Sequence, residues 1–211
     1  LCLQVFCRKG IFMYPSTEQV YKELEEAGKR NPGQWIAHSI NAGKAARFIA
    51  EKCPELNPDK AFALGALHDI GRREGVFYMR HIIEGYNYTT EKGWDEVARV
   101  CLTHSFPLQD IATDIQKADI TGEQYSFIGD YIKNAEYDDY DRLIILCDCL
   151  ANSKGFCILE RRMVDMARRY GIFEHTLDRW NKYFELLEYF GNKAGCSIYS
   201  LLPDIEKTTF A

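Results

Sequence analysis

The 211-residue sequence has no Cys-x-x-Cys pair, no internal repeat, no low-complexity tract and no excess of basic residues. Without a paired-cysteine motif, and without a clear secretion signal, the eight cysteines at positions 2, 7, 53, 101, 147, 149, 157 and 196 read as reduced thiols of a cytoplasmic protein. Long apolar runs are missing too. The start, Leu1-Cys2-Leu3-Gln4-Val5-Phe6-Cys7, is cut by Arg8-Lys9-Gly10 far too early for a spanning helix. It also lacks the basic-then-apolar order of a signal peptide. The absence of an initial Met reads as a trimmed or engineered start, so residues 1–15 are given no role and no membrane association is expected. Lys and Arg number 26 against 31 Asp and Glu, giving a net charge of −5. That balance argues against a surface for nucleic-acid polymers, which asks for a basic face. It leaves room for one small phosphorylated substrate, which needs only a local basic patch.

What is present is helix. The length suits one domain with a sizeable core, and the 46% hydrophobic and 27% charged content is ordinary for a globular chain. Ser16-Thr17-Glu18-Gln19 is a capping box, and the helix it opens should stop near 30, before Asn31-Pro32-Gly33. A second is expected over 34–52, with Ile36, Ile40 and Ala46 inward and His38 among them. Asn57-Pro58 opens a third, which ends at His68-Asp69. Further helices are expected over 78–92, 95–103, 122–134, 140–153, 158–170 and 173–189, with Gly171 and Gly191 as stops and a last turn over 197–202. Residues 105–121 read as a long loop with at most one short helix. No series of strands is evident. The expected architecture is an all-α bundle, one domain over 16–211.

Within that pattern, Ala66-Leu67-His68-Asp69-Ile70-Gly71-Arg72-Arg73 does not suit a core. An imidazole and a carboxylate at the end of an apolar helix each need a partner when buried, and a divalent metal satisfies both. Neighbouring side chains on a helix point about 100° apart. One cation is reached from both only at a helix end, which Gly71 is expected to supply as a permissive C-terminal residue. Asp148 follows the apolar run Leu143-Ile144-Ile145-Leu146, where a carboxylate without a cation is expensive.

Taken in order, His38, His68-Asp69, His81, His104 and Asp148 resemble the HD superfamily of metal-dependent phosphohydrolases, and His68-Asp69-Ile70-Gly71 reads as the HDIG variant of its signature. The resemblance covers about 34–155. It implies an HD-type helical domain in which His38, His68, Asp69 and Asp148 hold one metal. Asp69 would bridge to a second, completed by His81 and His104, with His68 and Asp69 central to catalysis. Such mixed ligands suit Fe, Mn, Zn, Co or Ni, one or two ions per chain. The implied reaction is attack of metal-bound hydroxide on phosphorus, in a nucleotide or other small phosphorylated metabolite, with a proton for the leaving oxygen from water or an acid the sequence does not identify. The same ordered ligands are similar to those of bacterial dinucleoside tetraphosphatases. They also resemble the di-iron myo-inositol oxygenase branch, and a non-catalytic binding module is a third reading.

Around the ligands, Arg72 reads either as a phosphate contact or as a solvated helix end, with Arg73, Arg80 and Lys44 as weaker phosphate candidates. Arg161-Arg162 and Arg168-Arg169 read as a solvated face. His175 matches no motif position. Cys147 and Cys149 read as packing residues, and Trp35, Tyr78, Tyr86 and Phe106 as core aromatics with stacking on a base as the alternative.

Overall fold

The computed structural model describes residues 13–114 and 118–210. The apolar start with Cys2 and Cys7, and residues 115–117 of the long loop, lie outside the described residues. The molecule is a single all-α domain, with one short hairpin among the described residues. The helices are α1 (Thr17–Arg30), α2 (Trp35–Ala50), α3 (Pro58–Leu67), α4 (Arg80–Glu91), α5 (Asp95–Thr103), α6 (Gly122–Asn134), α7 (Asp139–Leu150), α8 (Leu159–Tyr170), α9 (Thr176–Ala194) and α10 (Ile205–Thr209). Three start where local chemistry says they should. Ser16 and Gln19 exchange the two capping-box bonds, Thr121 and Gln124 do the same for α6, and the Asn57 side chain accepts from Asp59 and Lys60. Each cap satisfies amides that the first turn leaves open.

Helix α2 lies across α3 and α7 at the centre of the main core. The α2–α3 crossing is tight because it is built on Gly43 and Gly65. A Cβ at Gly43 would stand 2.8 Å from both the Phe62 carbonyl and the Ala66 Cβ. The sequence supplies small residues there, and the backbones close up. This brings His38, on α2, beside His68, at the end of α3. A second cluster of Met79, Ile82, Leu102, Phe106, Ile128 and Ile132 joins α4, α5 and α6.

Gly71 corrects an expectation. It does not end α3 through a left-handed conformation; His68 is the cap, and Gly71 lies in a 3-10 turn over Ile70–Glu74. Its role is close approach. A Cβ at this position would stand 2.0 Å from the His81 carbonyl and 2.4 Å from the Gly85 amide. α4 packs backbone-to-backbone on this turn, which only glycine allows.

Other boundaries moved for tertiary reasons. Helix α4 starts at Arg80 rather than 78, and its cap comes from afar: the Asp119 carboxylate accepts from the Tyr78 and Arg80 amides at 2.9 and 2.8 Å. Helix α7 stops at Leu150, short of 153, because Asn152 turns the chain by accepting from Lys154 and Gly155. Ala151–Asn152 then pairs with Gly155–Phe156. Helix α9 runs through Gly191 and ends at Gly195, whose φ is +68°. The short α10 follows a turn where the sequence reading ended the chain's helices. The described residues 105–114 and 118–121 form no α-helix and carry a 3-10 turn at Ile111–Thr113.

Candidate metal centre and its cleft

Five backbone elements deliver the sequence's ligand candidates to one place. His38 comes from the first turn of α2, His68 and Asp69 from the end of α3, His81 from the first turn of α4, His104 from the end of α5 and Asp148 from the last turn of α7. Helix ends dominate because there the chain turns away and frees a side chain to point inward.

In each of the four histidines the Nδ1 edge meets a backbone carbonyl. His38 faces Ala151 at 3.3 Å, His68 faces Gly65 at 2.6 Å, His81 faces Tyr78, and His104 faces Val100 and Cys101 at 3.1 and 3.0 Å. A carbonyl only accepts, so each Nδ1 carries a proton, and in the neutral ring each Nε2 is the nitrogen left with a lone pair. These four Nε2 atoms converge on two carboxylates. His38 lies 2.9 Å and His68 3.7 Å from Asp148 Oδ1. His81 and His104 lie 3.2 and 3.8 Å from Asp69 Oδ1, and His68 lies 3.8 Å from Asp69 Oδ2. His81 and His104 bring their Nε2 atoms within 3.3 Å of each other. Two overlapping groups result, His38-His68-Asp148 and His68-Asp69-His104, each with ligand atoms within 4.8 Å of one another.

Two buried atoms at the junction, His68 Nε2 and Asp69 Oδ1, have no hydrogen-bond partner. Leaving both polar groups unmet inside a protein is costly, and a cation between them would satisfy both. The fixed imidazole tautomers and the carboxylates form a donor set that fits a divalent transition metal. Electrostatics agree. Burial, then Arg72, push His81 well below an ordinary imidazole, and burial with His68 takes His104 down to about 4. Both are therefore neutral, the form a metal requires. Burial opposes the charge on Asp69, but Arg72, with His68 next, outweighs it and holds the carboxyl far below the usual range. His38 and His68 do the same for Asp148 against its burial.

The centre floors a cleft of about 660 Å³. Its lining carries six basic side chains, Arg72, Lys154, Arg161, Arg162, Arg169 and Arg179, against three carboxylates, Asp69, Asp148 and Asp165. In a chain of net charge −5, that is a local basic patch of the kind an anionic substrate needs.

Several readings of single residues change here. Arg72 is not a solvated helix end: its Nε donates to Asp69 Oδ2 at 2.7 Å and its Nη1 to the Phe77 carbonyl at 3.0 Å, within the cleft wall. Arg161, Arg162 and Arg169 line the cleft, Arg161 and Arg169 at its exposed rim and Arg162 largely buried, while Arg168 is exposed and takes no part in the lining. Arg73 packs on the Tyr88 ring beside Glu23, Arg80 pairs with Glu84, and Lys44 is exposed; none lines the cleft. Cys147 is a core residue, whereas Cys149 reaches the cleft floor. Of the aromatics, Phe106 is core, Tyr86 packs against it, Tyr78 is half exposed and Trp35 lines the cleft. His175 is half-buried beside Asp178.

Sequence reasoning missed Arg179 altogether. It is buried on α9, donates to the Ser105 and Thr113 carbonyls at 3.2 Å each, and so fastens the loop that follows His104. The available signal was weak: a lone arginine on an amphipathic helix. The long interval from His104 to Asp148 is taken up by that loop and by α6.

Among known families, the model described as HD domain matches residues 35–153, more than half of the chain and a span holding all six ligand candidates. No curated protein and no solved structure matches the chain.

Proposed function

We propose that this chain, which belongs to the HD-domain family of metal-dependent hydrolases, is a phosphohydrolase that cleaves a small phosphorylated metabolite in the basic cleft. The observation that carries the reading is the convergence of four tautomer-locked Nε2 atoms on Asp69 and Asp148, with His68 Nε2 and Asp69 Oδ1 left unpartnered. His38, His68, Asp69 and Asp148 would hold one metal; Asp69, His81 and His104 would complete a place for a second. Divalent metals held there supply Lewis-acid chemistry, which acidifies water and offsets phosphoryl charge.

The chain's own residues do the rest. Asp69 bridges the two halves of the set: its Oδ1 faces His81 and His104, and its Oδ2 faces His68 and Arg72. Arg72 fixes that carboxylate and brings a guanidinium to the wall where a phosphate would sit. Water adds its oxygen to phosphorus, the bond from phosphorus to the leaving oxygen breaks, and the proton that water loses is balanced by one that the leaving oxygen takes up. His68 and Asp69 orient the water from the buried side. Six basic side chains around the cleft favour a phosphorylated substrate over a neutral polyol, and so favour hydrolysis over the oxygenase reading.

The test is metal analysis of protein purified without chelator, then phosphate release from mono-, di- and dinucleotides with Mn, Fe, Co, Ni and Zn in turn. Bound transition metal and metal-dependent release are expected. Release from no substrate with any metal overturns the proposal.

A further inference from the structure

Arg162 is the residue whose position the reading above leaves unexplained. Its side chain is only 19% exposed, and among the described residues it donates no hydrogen bond. The Nε is buried without a partner, and the nearest carboxylate oxygen, Asp148 Oδ1, is 4.0 Å from Nη2. Arg72 spends its donors on Asp69 and Phe77, and Arg179 spends its own on Ser105 and Thr113. Arg162 spends none. Burying the Nε of a guanidinium without a partner, with Asp148 near but not hydrogen-bonded, is expensive, and an anion in the cleft would meet it. Arg162 lines the cleft together with Arg161 and Lys154. Helix α8, which carries Arg161 and Arg162, lies outside the span that matches the HD family.

We propose that Arg162, supported by Arg161 and Lys154, binds a second phosphate group of the substrate, joined directly to the one that is cleaved. The 4.0 Å separation from Asp148 Oδ1 means that the guanidinium reaches a group adjoining the candidate metal centre, not a distant one. The substrate class is then a phosphoanhydride rather than a simple phosphomonoester. Water adds its oxygen to one phosphorus, the P–O–P bond breaks, and the bridging oxygen leaves on the second phosphate, taking up a proton as water loses one. Arg162 holds that departing phosphate by charge-assisted hydrogen bonds. The inference rests on the phosphohydrolase reading for its reaction, but its binding claim is tested without turnover.

The experiment is calorimetric titration of the metal-loaded protein with two non-hydrolysable probes, methylenediphosphonate and methylphosphonate, with metal content measured before and after. Wild type should bind the diphosphonate about tenfold more tightly. Arg162→Gln should remove about that factor while leaving methylphosphonate affinity and metal content unchanged. Arg161 is exposed, so Arg161→Gln should fold normally and lower diphosphonate affinity by a smaller factor, about threefold. If Arg162→Gln fails to fold, the Arg161 variant decides. Unaltered diphosphonate affinity, an equal loss for both probes, or a loss of metal overturns the inference. If the probes behave as expected but no substrate releases phosphate, the hydrolase reading falls and the diphosphate site stands.

Discussion

Gly71 and His81 are held against each other by backbone. A single added carbon at residue 71 would stand 2.0 Å from the His81 carbonyl. The glycine of the His68-Asp69-Ile70-Gly71 run thus sets where α4, and with it an imidazole of the candidate metal centre, rests on the turn that carries Asp69.

Gly71→Ala should therefore act on both stability and the site. Forcing a methyl group into that contact costs about 1–3 kcal/mol as overpacking, and the relief available is for α4 to move away with His81. A lower melting temperature and a lower metal content should appear together. A variant that melts and binds metal like wild type would mean that α4 is not held by this contact.

The two halves of the candidate centre should separate by mutation. His81→Ala and His104→Ala each remove one nitrogen from the Asp69 Oδ1 side, so metal content should fall from about two per chain toward about one on the two-metal reading. Asp69→Ala takes a ligand from both proposed metal places and should abolish turnover. Metal stoichiometry and turnover measured on all three variants provide the check. Wild-type values in both histidine variants would make the centre mononuclear and return His81 and His104 to packing.

Arg179 should behave as a fastener of the loop after His104. Hydrogen bonds to a charged group contribute about 1.5–3 kcal/mol, and Arg179→Met would leave the Ser105 and Thr113 carbonyls without this donor. Amide hydrogen exchange over residues 105–114 should accelerate, with α2 and α3 unchanged. Protection equal to wild type in that loop would contradict the assignment.

Asp139 should give a pH signature. It opens α7, pairs with Lys193 at 2.9 Å and accepts from Tyr189, and so ties the helix of Asp148 to α9. Burial works against its charge, but the Lys193 and Tyr189 hydrogen bonds outweigh it and lower its pKa. A carboxylate depressed in the folded state contributes stability above its unfolded pKa, near 3.9, and loses it as pH falls through the lower folded value. The melting-temperature gap between wild type and Asp139→Asn should be largest near neutral pH and shrink on acidification. A gap independent of pH from 7 down to 3 would dismiss the ion pair as a contributor.

The helices were legible wherever their start is written in adjacent residues. Ser16 with Gln19 and Asn57 with Pro58 carry their caps beside them, and those helices begin where the spacing predicts. The start of α4 was not legible, because its cap is Asp119, about forty residues away. The end of α7 was misread because Asn152 turns the chain into a hairpin that apolar periodicity does not report.

The sequence by itself determined the helical class, the helix ends on which His68 and His104 sit, and the set of residues able to meet at one cation. Ligand chemistry and local capping are properties of neighbours along the chain, so they can be read there. Only the tertiary structure decided that the four imidazoles turn Nε2 inward, because each tautomer is set by a carbonyl positioned by folding. Only it decided that Gly71 serves contact rather than a turn, and that Arg162 faces a cleft instead of water. A charged residue on an amphipathic helix looks solvated in sequence. Whether it is depends on what packs across from it, and that surface comes from elements far away in the chain.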